Sequence, residues 1–262
     1  MSISKTVAVL QSNYIPWKGY FDIINAVDAF VLYDECQFTR RDWRNRNMIK
    51  TPQGVTWLTV PVRSRGNFIA PINTIEVDGS AWREKHAATL KHQYAKAPAF
   101  KEIWPRIQAV YDDCQHTTLL SEVNYRFIKE VCAILRINTP LLWSHELGVK
   151  EEDPSERLAA ICSRLEATAY LSGPAARDYL NEEVFRERGM DILWMRYDSY
   201  PHYSQLHPPF RHDVTVLDIL FNVGSSAARD LVCRYTVDAG NPVAADGQDG
   251  CASLPQMIVG KH

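Results

Sequence analysis

The chain has 262 residues, of which 46% are hydrophobic and 11% aromatic, and 29 basic and 31 acidic side chains give it a formal net charge of −2. This charge balance excludes the global basic field that holds nucleic acid or an anionic membrane surface. Seven tryptophans and a charged fraction of 23% exclude wholesale disorder. The length indicates one α/β domain of the larger kind, with or without a small appendage.

The N-terminus and the cysteines indicate a cytoplasmic protein. Residues 1–5 lead directly into the apolar residues 7–10, a pattern unlike a secretory signal, and no stretch approaches the roughly 20 apolar residues of a membrane span. The six cysteines are widely spaced, without a C-x-x-C motif: Cys36, Cys114, Cys132, Cys162, Cys233 and Cys251. This spacing predicts reduced thiols and neither a metal site nor a disulfide framework.

The chain alternates short apolar strands with helices. The patterns predict strands at 7–11, 29–33, 55–62, 73–77, 140–143, 169–171 and 191–197, helices at 19–25, 82–94, 98–114, 119–135, 154–165 and 182–188, and two closing ordered segments at 214–221 and 227–233. This order predicts a mostly parallel, Rossmann-like sheet flanked by helices, with a helical insertion at about 81–136. Residues 1–235 are expected to form a single α/β domain, and the aperiodic residues 236–262 a disordered tail.

Three polar clusters directly follow predicted strands, at 11–18, 34–37 and 172–173. In an open parallel sheet, ligands bind beyond the carboxyl ends of the strands, where the winding order reverses. The clusters therefore predict a binding site along one edge of the sheet. The alternative is that polar residues follow any strand, because loops are polar.

The densest cationic stretch spans 40–50. Arginine binds phosphate or carboxylate through its planar guanidinium, so Arg44 and Arg46, together with Lys50, are candidate anchors for a phosphate-bearing substrate. Asn45 and Asn47 alternate with the arginines and add amide groups that can recognise a ligand. The alternative is a solvated face of a loop.

A histidine on the first middle helix is a candidate general base. His86 follows Lys85, and an imidazole has an unperturbed pKa near neutrality, as proton abstraction from an amine requires. A lone helical histidine also occurs as a structural residue. Cys36 is rejected as a nucleophile because Asp34 and Glu35 beside it raise the pKa of its thiol.

Several ordered motifs together resemble the WbqC-like family. They are 11–21 (QSNYIPWKGYF), 34–38 (DECQF), 43–47 (WRNRN), 57–62 (WLTVPV), 85–86 (KH), 96–98 (KAP), 170–174 (YLSGP) and 217–222 (LDILFN), and the resemblance spans about 7–230. It departs from the family at Ser12, where proline is frequent. The resemblance implies a cytoplasmic enzyme of polysaccharide (O-antigen or capsule) or natural-product biosynthesis that joins acyl or aminoacyl groups to amines.

The first strand, loop and helix are also similar to those of nucleotidyltransferases and pantothenate synthetases. Residues 17–20 (WKGY) stand in the place of the H-x-G-H motif, whose histidines bind ATP phosphates, and both histidines are missing here. Ser172 and Gly173 stand where a later serine-rich motif closes over the nucleotide. This similarity concerns the fold and does not establish a function.

Three functional hypotheses follow. The first is an amide-forming acyl- or aminoacyltransferase acting on an amine, such as a nucleotide-linked amino sugar, with an acyl-carrier protein as candidate partner and no metal. Its catalytic candidates are His86, Gln37 and Asp34, and its substrate-binding candidates are Tyr14, Trp17, Tyr20, Arg44, Asn45, Arg46, Asn47, Lys50, Lys85, Ser172 and Gly173. The second is an ATP- and Mg²⁺-dependent ligase that forms an acyl-adenylate. The third is a non-catalytic module that binds a nucleotide sugar or a carrier protein, with aromatic side chains stacking on the ligand. No membrane or nucleic-acid partner is expected.

Overall fold

The computed structural model describes residues 4–64 and 69–238. Its strands are β1 (Thr6–Leu10), β2 (Ala29–Leu32), β3 (Arg46–Thr51), β4 (Gly54–Thr59), β5 (Leu141–Trp143), β6 (Ala169–Ser172), β7 (Asp191–Met195) and β8 (Val237–Asp238). Six of them form one sheet in the order β5-β2-β1-β6-β7-β8, while β3 and β4 form a separate antiparallel hairpin. Within the sheet every neighbouring pair is parallel except β7 and β8, which confirms the prediction of a mostly parallel α/β sheet.

The sheet is covered on both faces. The helices are α1 (Lys18–Asn25), α2 (Ala81–Tyr94), α3 (Phe100–Asp113), α4 (Leu120–Ile134), α5 (Pro154–Arg164), α6 (Glu182–Glu187) and α7 (Val216–Val232). Successive side chains of a strand point to opposite faces, so Ala8 and Leu10 of β1 enter one core, with residues of α1, α4 and α7. Val7 and Val9 enter a second core, with residues of α5 and α6. Burial of both faces explains the continuous apolar sequence of the central strands.

The winding order reverses beside β1. From β1 the chain builds outward through β2 to β5, and it then returns to place β6 and β7 on the other side of β1. The carboxyl ends of β1 and β6 therefore flank the switch point, the place where doubly wound folds bind ligands. Two of the predicted polar clusters, 11–18 and 172–173, directly follow these strands.

Two strand predictions in the first half need correction. The segment 73–77 is not a strand: it begins inside a 3₁₀ turn at Ile72–Thr74, and Glu76 and Val77 make only isolated bridges, with Leu119 and Val62. The predicted strand at 55–62 ends at Thr59, and its partner β3 was not predicted. The sequence of β3, Arg-Asn-Met-Ile-Lys-Thr, has the composition of a polar loop, yet every residue after Arg46 is buried by neighbouring segments.

The C-terminal prediction also needs correction. The two predicted closing segments, 214–221 and 227–233, correspond to the two halves of α7, which is interrupted at Gly224, where φ is 81°, so the part in need of correction is the tail. Such a positive φ suits glycine because it has no Cβ. Strand β8 falls within the predicted disordered tail but pairs with β7, and the remainder of that tail, 239–262, lies outside the described residues. In the described part of the chain no helix is long and apolar enough to cross a bilayer.

Candidate functional site

Ser12 and Asp34 join the ends of β1 and β2. The Ser12 backbone N–H donates to Asp34 Oδ1 at 2.7 Å, and the Ser12 hydroxyl donates to Oδ2 at 2.6 Å. From α4, Asn124 Nδ2 donates to Ser12 Oγ at 3.0 Å. Burial raises the pKa of Asp34, and the bonds from Ser12 oppose that rise. The predicted catalytic Asp34 therefore holds the edge of the sheet together.

Alanine at position 12 is expected to lower the free energy of unfolding by about 2 kcal/mol, because Asp34 loses a hydroxyl donor while it stays buried. Thermal unfolding would show this as a fall of about 5 °C in the midpoint. Ser144→Ala is the matched control. The Ser144 hydroxyl is equally buried but has no partner among the described residues, so its removal should change the midpoint little. Equal effects of the two substitutions would contradict this account.

Arg44 is also built into the edge of the sheet. Its side chain is buried, and its guanidinium donates to Gln11 Oε1 and Asn13 Oδ1, which both follow β1. Asp42 Oδ2 lies 3.8 Å from Arg44 Nη2. The guanidinium thus fixes the loop after β1 in place.

The neighbouring candidates at 45–47 mostly face inward. Asn45 Nδ2 donates to the Val60 carbonyl at 2.8 Å, and Asn47 Nδ2 donates to the Ile15 carbonyl at 2.8 Å. Arg46 lies on the outside, with its guanidinium carbon 4.0 Å from the centre of the Trp57 ring. The structure therefore brings these residues together as a framework around the site, and among those of 44–47 Arg46 has the side chain most open to solvent.

His86 lies in a buried chain of hydroxyl groups. Its Nδ1 is 2.8 Å from the Tyr14 hydroxyl, which is 2.8 Å from the Tyr111 hydroxyl. Burial is the main cause that lowers the pKa of His86 to about 4, and a hydrogen bond to the backbone of Thr59 opposes it. The imidazole is thus neutral at pH 7, and it is hydrogen-bonded to the Tyr14 hydroxyl and to the backbone of Thr59. Lys85 beside it is exposed.

A second pair of titratable groups was not predicted from the sequence. Lys18, the first residue of α1, is 3% exposed, and its Nζ lies 2.7 Å from His212 Nδ1. Burial lowers the pKa of Lys18 to about 8. Burial, with Lys18 and His202 nearby, lowers the pKa of His212 to about 4. At neutral pH the imidazole is therefore an uncharged acceptor beside an amine that gives up its proton readily.

His212 belongs to an irregular segment, 200–214, between β7 and α7. Lys50, a buried residue of β3, donates from Nζ to Gln205 Oε1 at 3.1 Å and to the Pro209 carbonyl. Gln205 Nε2 donates in turn to Asp218 Oδ1 at 2.9 Å. The predicted phosphate anchor Lys50 thus holds the segment that carries His212.

Aromatic side chains surround the switch point. The rings of Trp17 and Tyr197 have centroids 5.0 Å apart and are nearly perpendicular. Gly173, directly after β6, lies against the Tyr197 hydroxyl, because an ideal Cβ on this glycine would be 3.5 Å from it. Ser172 is buried at the end of β6, and Tyr20 donates its hydroxyl to the Gln11 carbonyl at 3.0 Å. Trp17 and Gly173 were predicted from separate motifs, and both lie beside Tyr197.

Other candidates lie away from this group. Gln37 is half-buried and bridges to Pro71. Burial, together with Asp34, raises the pKa of Cys36 to about 12, so the thiol is not activated. Two cavities lined by described residues, of about 800 and 320 Å³, lie beside α5 and between α2 and α3. Residues 4–64 and 69–238 contain no group of three or more His, Cys, Asp or Glu side chains placed to hold a metal ion.

Comparisons with known proteins give the family and leave the activity open. A family model described as "WbqC-like protein family" matches residues 11–230. A Mycobacterium tuberculosis (strain ATCC 25618 / H37Rv) protein named "Uncharacterized protein Rv1507c" is 46% identical over 225 residues, which cover 85% of this chain and 96% of that protein. No solved structure matches significantly. The chain belongs to the WbqC-like protein family.

Proposed function

We propose that the protein is an amide-forming acyltransferase whose active site lies at the switch point of the sheet. The observation that carries the proposal is the pair formed by Lys18 Nζ and His212 Nδ1, 2.7 Å apart at the start of α1. A lysine with a pKa near 8 is half neutral at that pH, which suits a general base. An attacking amine needs such a base because its nitrogen must lose a proton as the amide forms.

The reaction requires an activated acyl donor, for which we propose a thioester. The amine nitrogen attacks the carbonyl carbon, a C–N bond forms, and the carbonyl π electrons move to oxygen. When the C=O bond re-forms, the C–S bond breaks and the thiolate leaves. Neutral Lys18 takes the proton from the nitrogen and returns it to the thiolate. His212 accepts a hydrogen bond from the resulting ammonium group and orients it.

This proposal gives other roles to the residues predicted from the sequence. We propose that His86 positions Tyr14 in the loop after β1, because its Nδ1 is already bonded to the tyrosine hydroxyl. Asp34 and Arg44 shape the same loop through their buried hydrogen bonds. Arg46, on the outside of β3, remains the candidate for contact with a phosphate-bearing amine such as a nucleotide-linked amino sugar.

The proposal is tested by turnover. The full chain is incubated with a panel of acyl thioesters and amines, including nucleotide-linked amino sugars, and amide products are detected by mass spectrometry. We expect a product that depends on enzyme, thioester and amine together. The absence of amide across the panel, with the protein folded, would contradict acyl transfer from thioesters.

The geometry favours this route over an acyl-adenylate. At Gly19, the position that corresponds to the glycine of the H-x-G-H motif, an ideal Cβ would lie 2.3 Å from the Trp17 ring. The indole thus covers the backbone where a phosphate would have to approach. Exchange of pyrophosphate into ATP is expected to be absent. A protein that only binds its ligand has no need of a lysine with a lowered pKa. The turnover experiment distinguishes an enzyme from such a binding module.

A further inference from the structure

Two buried hydrogen-bond donors at the switch point have no acceptor among the described residues. They are Trp17 Nε1 and the Tyr197 hydroxyl, which belong to the adjacent rings described above. Leaving such a donor buried without an acceptor costs about 1–3 kcal/mol. Neighbouring Tyr200 differs, because its hydroxyl donates to Asp22 Oδ2 at 2.7 Å. Two unsatisfied donors on neighbouring rings therefore need a specific explanation.

The chemistry of the two groups defines what they bind. An indole N–H only donates, and burial raises the pKa of Tyr197 far enough for its hydroxyl to stay protonated at any physiological pH. Both groups thus present hydrogens to an electron-rich atom. Lys18 Nζ lies 5.9 Å from the centre of the Trp17 ring, so the donors adjoin the proposed base. Gly173 lies beside the Tyr197 hydroxyl and adds no side chain there, since an ideal Cβ on it would lie 3.5 Å from the hydroxyl oxygen.

We propose that Trp17 Nε1 and Tyr197 OH form a subsite for the carbonyl oxygen of the acyl group. The catalytic role of this subsite rests on the acyl transfer proposed above. As the amine attacks, negative charge develops on that oxygen, and fixed donors stabilise it more than they stabilise the neutral carbonyl. Neither donor gives up its proton, so the balance of the transfer step is unchanged. Gly173 leaves room for the acyl group beside the hydroxyl.

The subsite is tested by binding, without turnover. The seven tryptophans of the ¹⁵N-labelled chain give separate indole N–H signals, and the Trp17 signal is identified by its loss in Trp17→Phe. The chain is titrated with the small thioester S-acetyl-N-acetylcysteamine, with no amine present. We expect the Trp17 signal to shift on binding, with an apparent Kd about tenfold higher in Tyr197→Phe. Gly173→Ala should weaken binding at least as much, because its methyl group would occupy the acyl position.

Both variants are expected to fold. Gly173 has φ −75° and ψ 153°, which alanine adopts without strain, and Tyr197→Phe removes a hydroxyl that has no partner within 4–64 and 69–238. Tyr200→Phe is the matched comparison: it removes a bonded hydroxyl and should lower the thermal midpoint, whereas Tyr197→Phe should not. An unmoved Trp17 signal, or an unchanged Kd in Gly173→Ala, overturns the subsite. This binding experiment measures no product. A shift of the Trp17 signal here, together with no amide in the turnover experiment, would therefore support the subsite and contradict only the catalytic proposal.

Discussion

Replacing Lys18 by arginine is expected to lower kcat for amide formation about 100- to 10,000-fold, the usual contribution of a general base. The guanidinium stays protonated at every accessible pH, so it cannot accept the proton of the amine. In the wild-type protein kcat/KM should rise with pH through the pKa of Lys18, about 8, because the neutral form is the active one. The measurement is kcat/KM between pH 6 and 9.5.

The control for this substitution is Lys91→Arg on α2. Lys91 is exposed, so its replacement should leave both the rate and the pH profile unchanged. The amine substrate titrates as well, but it does so equally with every variant. The rise in kcat/KM that is due to Lys18 is therefore the part of the pH profile that is missing in Lys18→Arg. A Lys18→Arg enzyme that retains the wild-type rise with pH would contradict the assignment.

Stability is expected to increase with pH because of His86, by about 3 kcal/mol between pH 4 and pH 6.5. The unfolded chain binds a proton at this histidine below its ordinary pKa of 6.5, whereas the folded chain binds it only below about 4. Between these values the unfolded state holds more protons, so stability falls as the pH falls. Urea unfolding at pH 4.5 and pH 7 measures the difference.

Glutamine at position 86 removes this titration while it keeps a side-chain oxygen that can accept a hydrogen bond from Tyr14. The difference in stability between the two pH values should shrink by about 2–3 kcal/mol relative to wild type. His212→Gln serves as the comparison. The pKa of His212 is also about 4, so this substitution should reduce the pH dependence of stability as well. An unaltered pH dependence in His86→Gln would show that its pKa is not lowered in the folded protein.

The parallel sheet was predictable because its strands are buried on both faces and carry continuous apolar sequence. Helices such as α2 and α5 were likewise found within a few residues of their true ends. Strand β3 was not predictable in this way. The buried Asn47 and Lys50 side chains donate hydrogen bonds to distant backbone carbonyls, those of Ile15 and Pro209, and no local pattern reports such partners.

The candidate site was predictable only where it follows strands. The loops after β1 and β6 were located correctly at the switch point, from the rule that ligands bind beyond the carboxyl ends of strands. Lys18 stood inside a quoted motif, but its lowered pKa depends on burial beneath the 200–214 segment. His212 lies almost two hundred positions further along the chain, and no spacing links the two. The sequence signal available for Lys18 was its position directly after the first strand and loop.

The central position of β1 has a consequence for the order of events during synthesis. Thr6 of β1 pairs with Ala169 of β6, and Trp17 bridges to Thr215 at the start of α7. Contacts between such distant segments form slowly, since a long loop must close before they contribute. A nascent chain still lacking β6 therefore has its first strand exposed along one edge, where it is open to mispairing. Chaperone capture of ribosome-bound chains should accordingly decline once β6 has emerged.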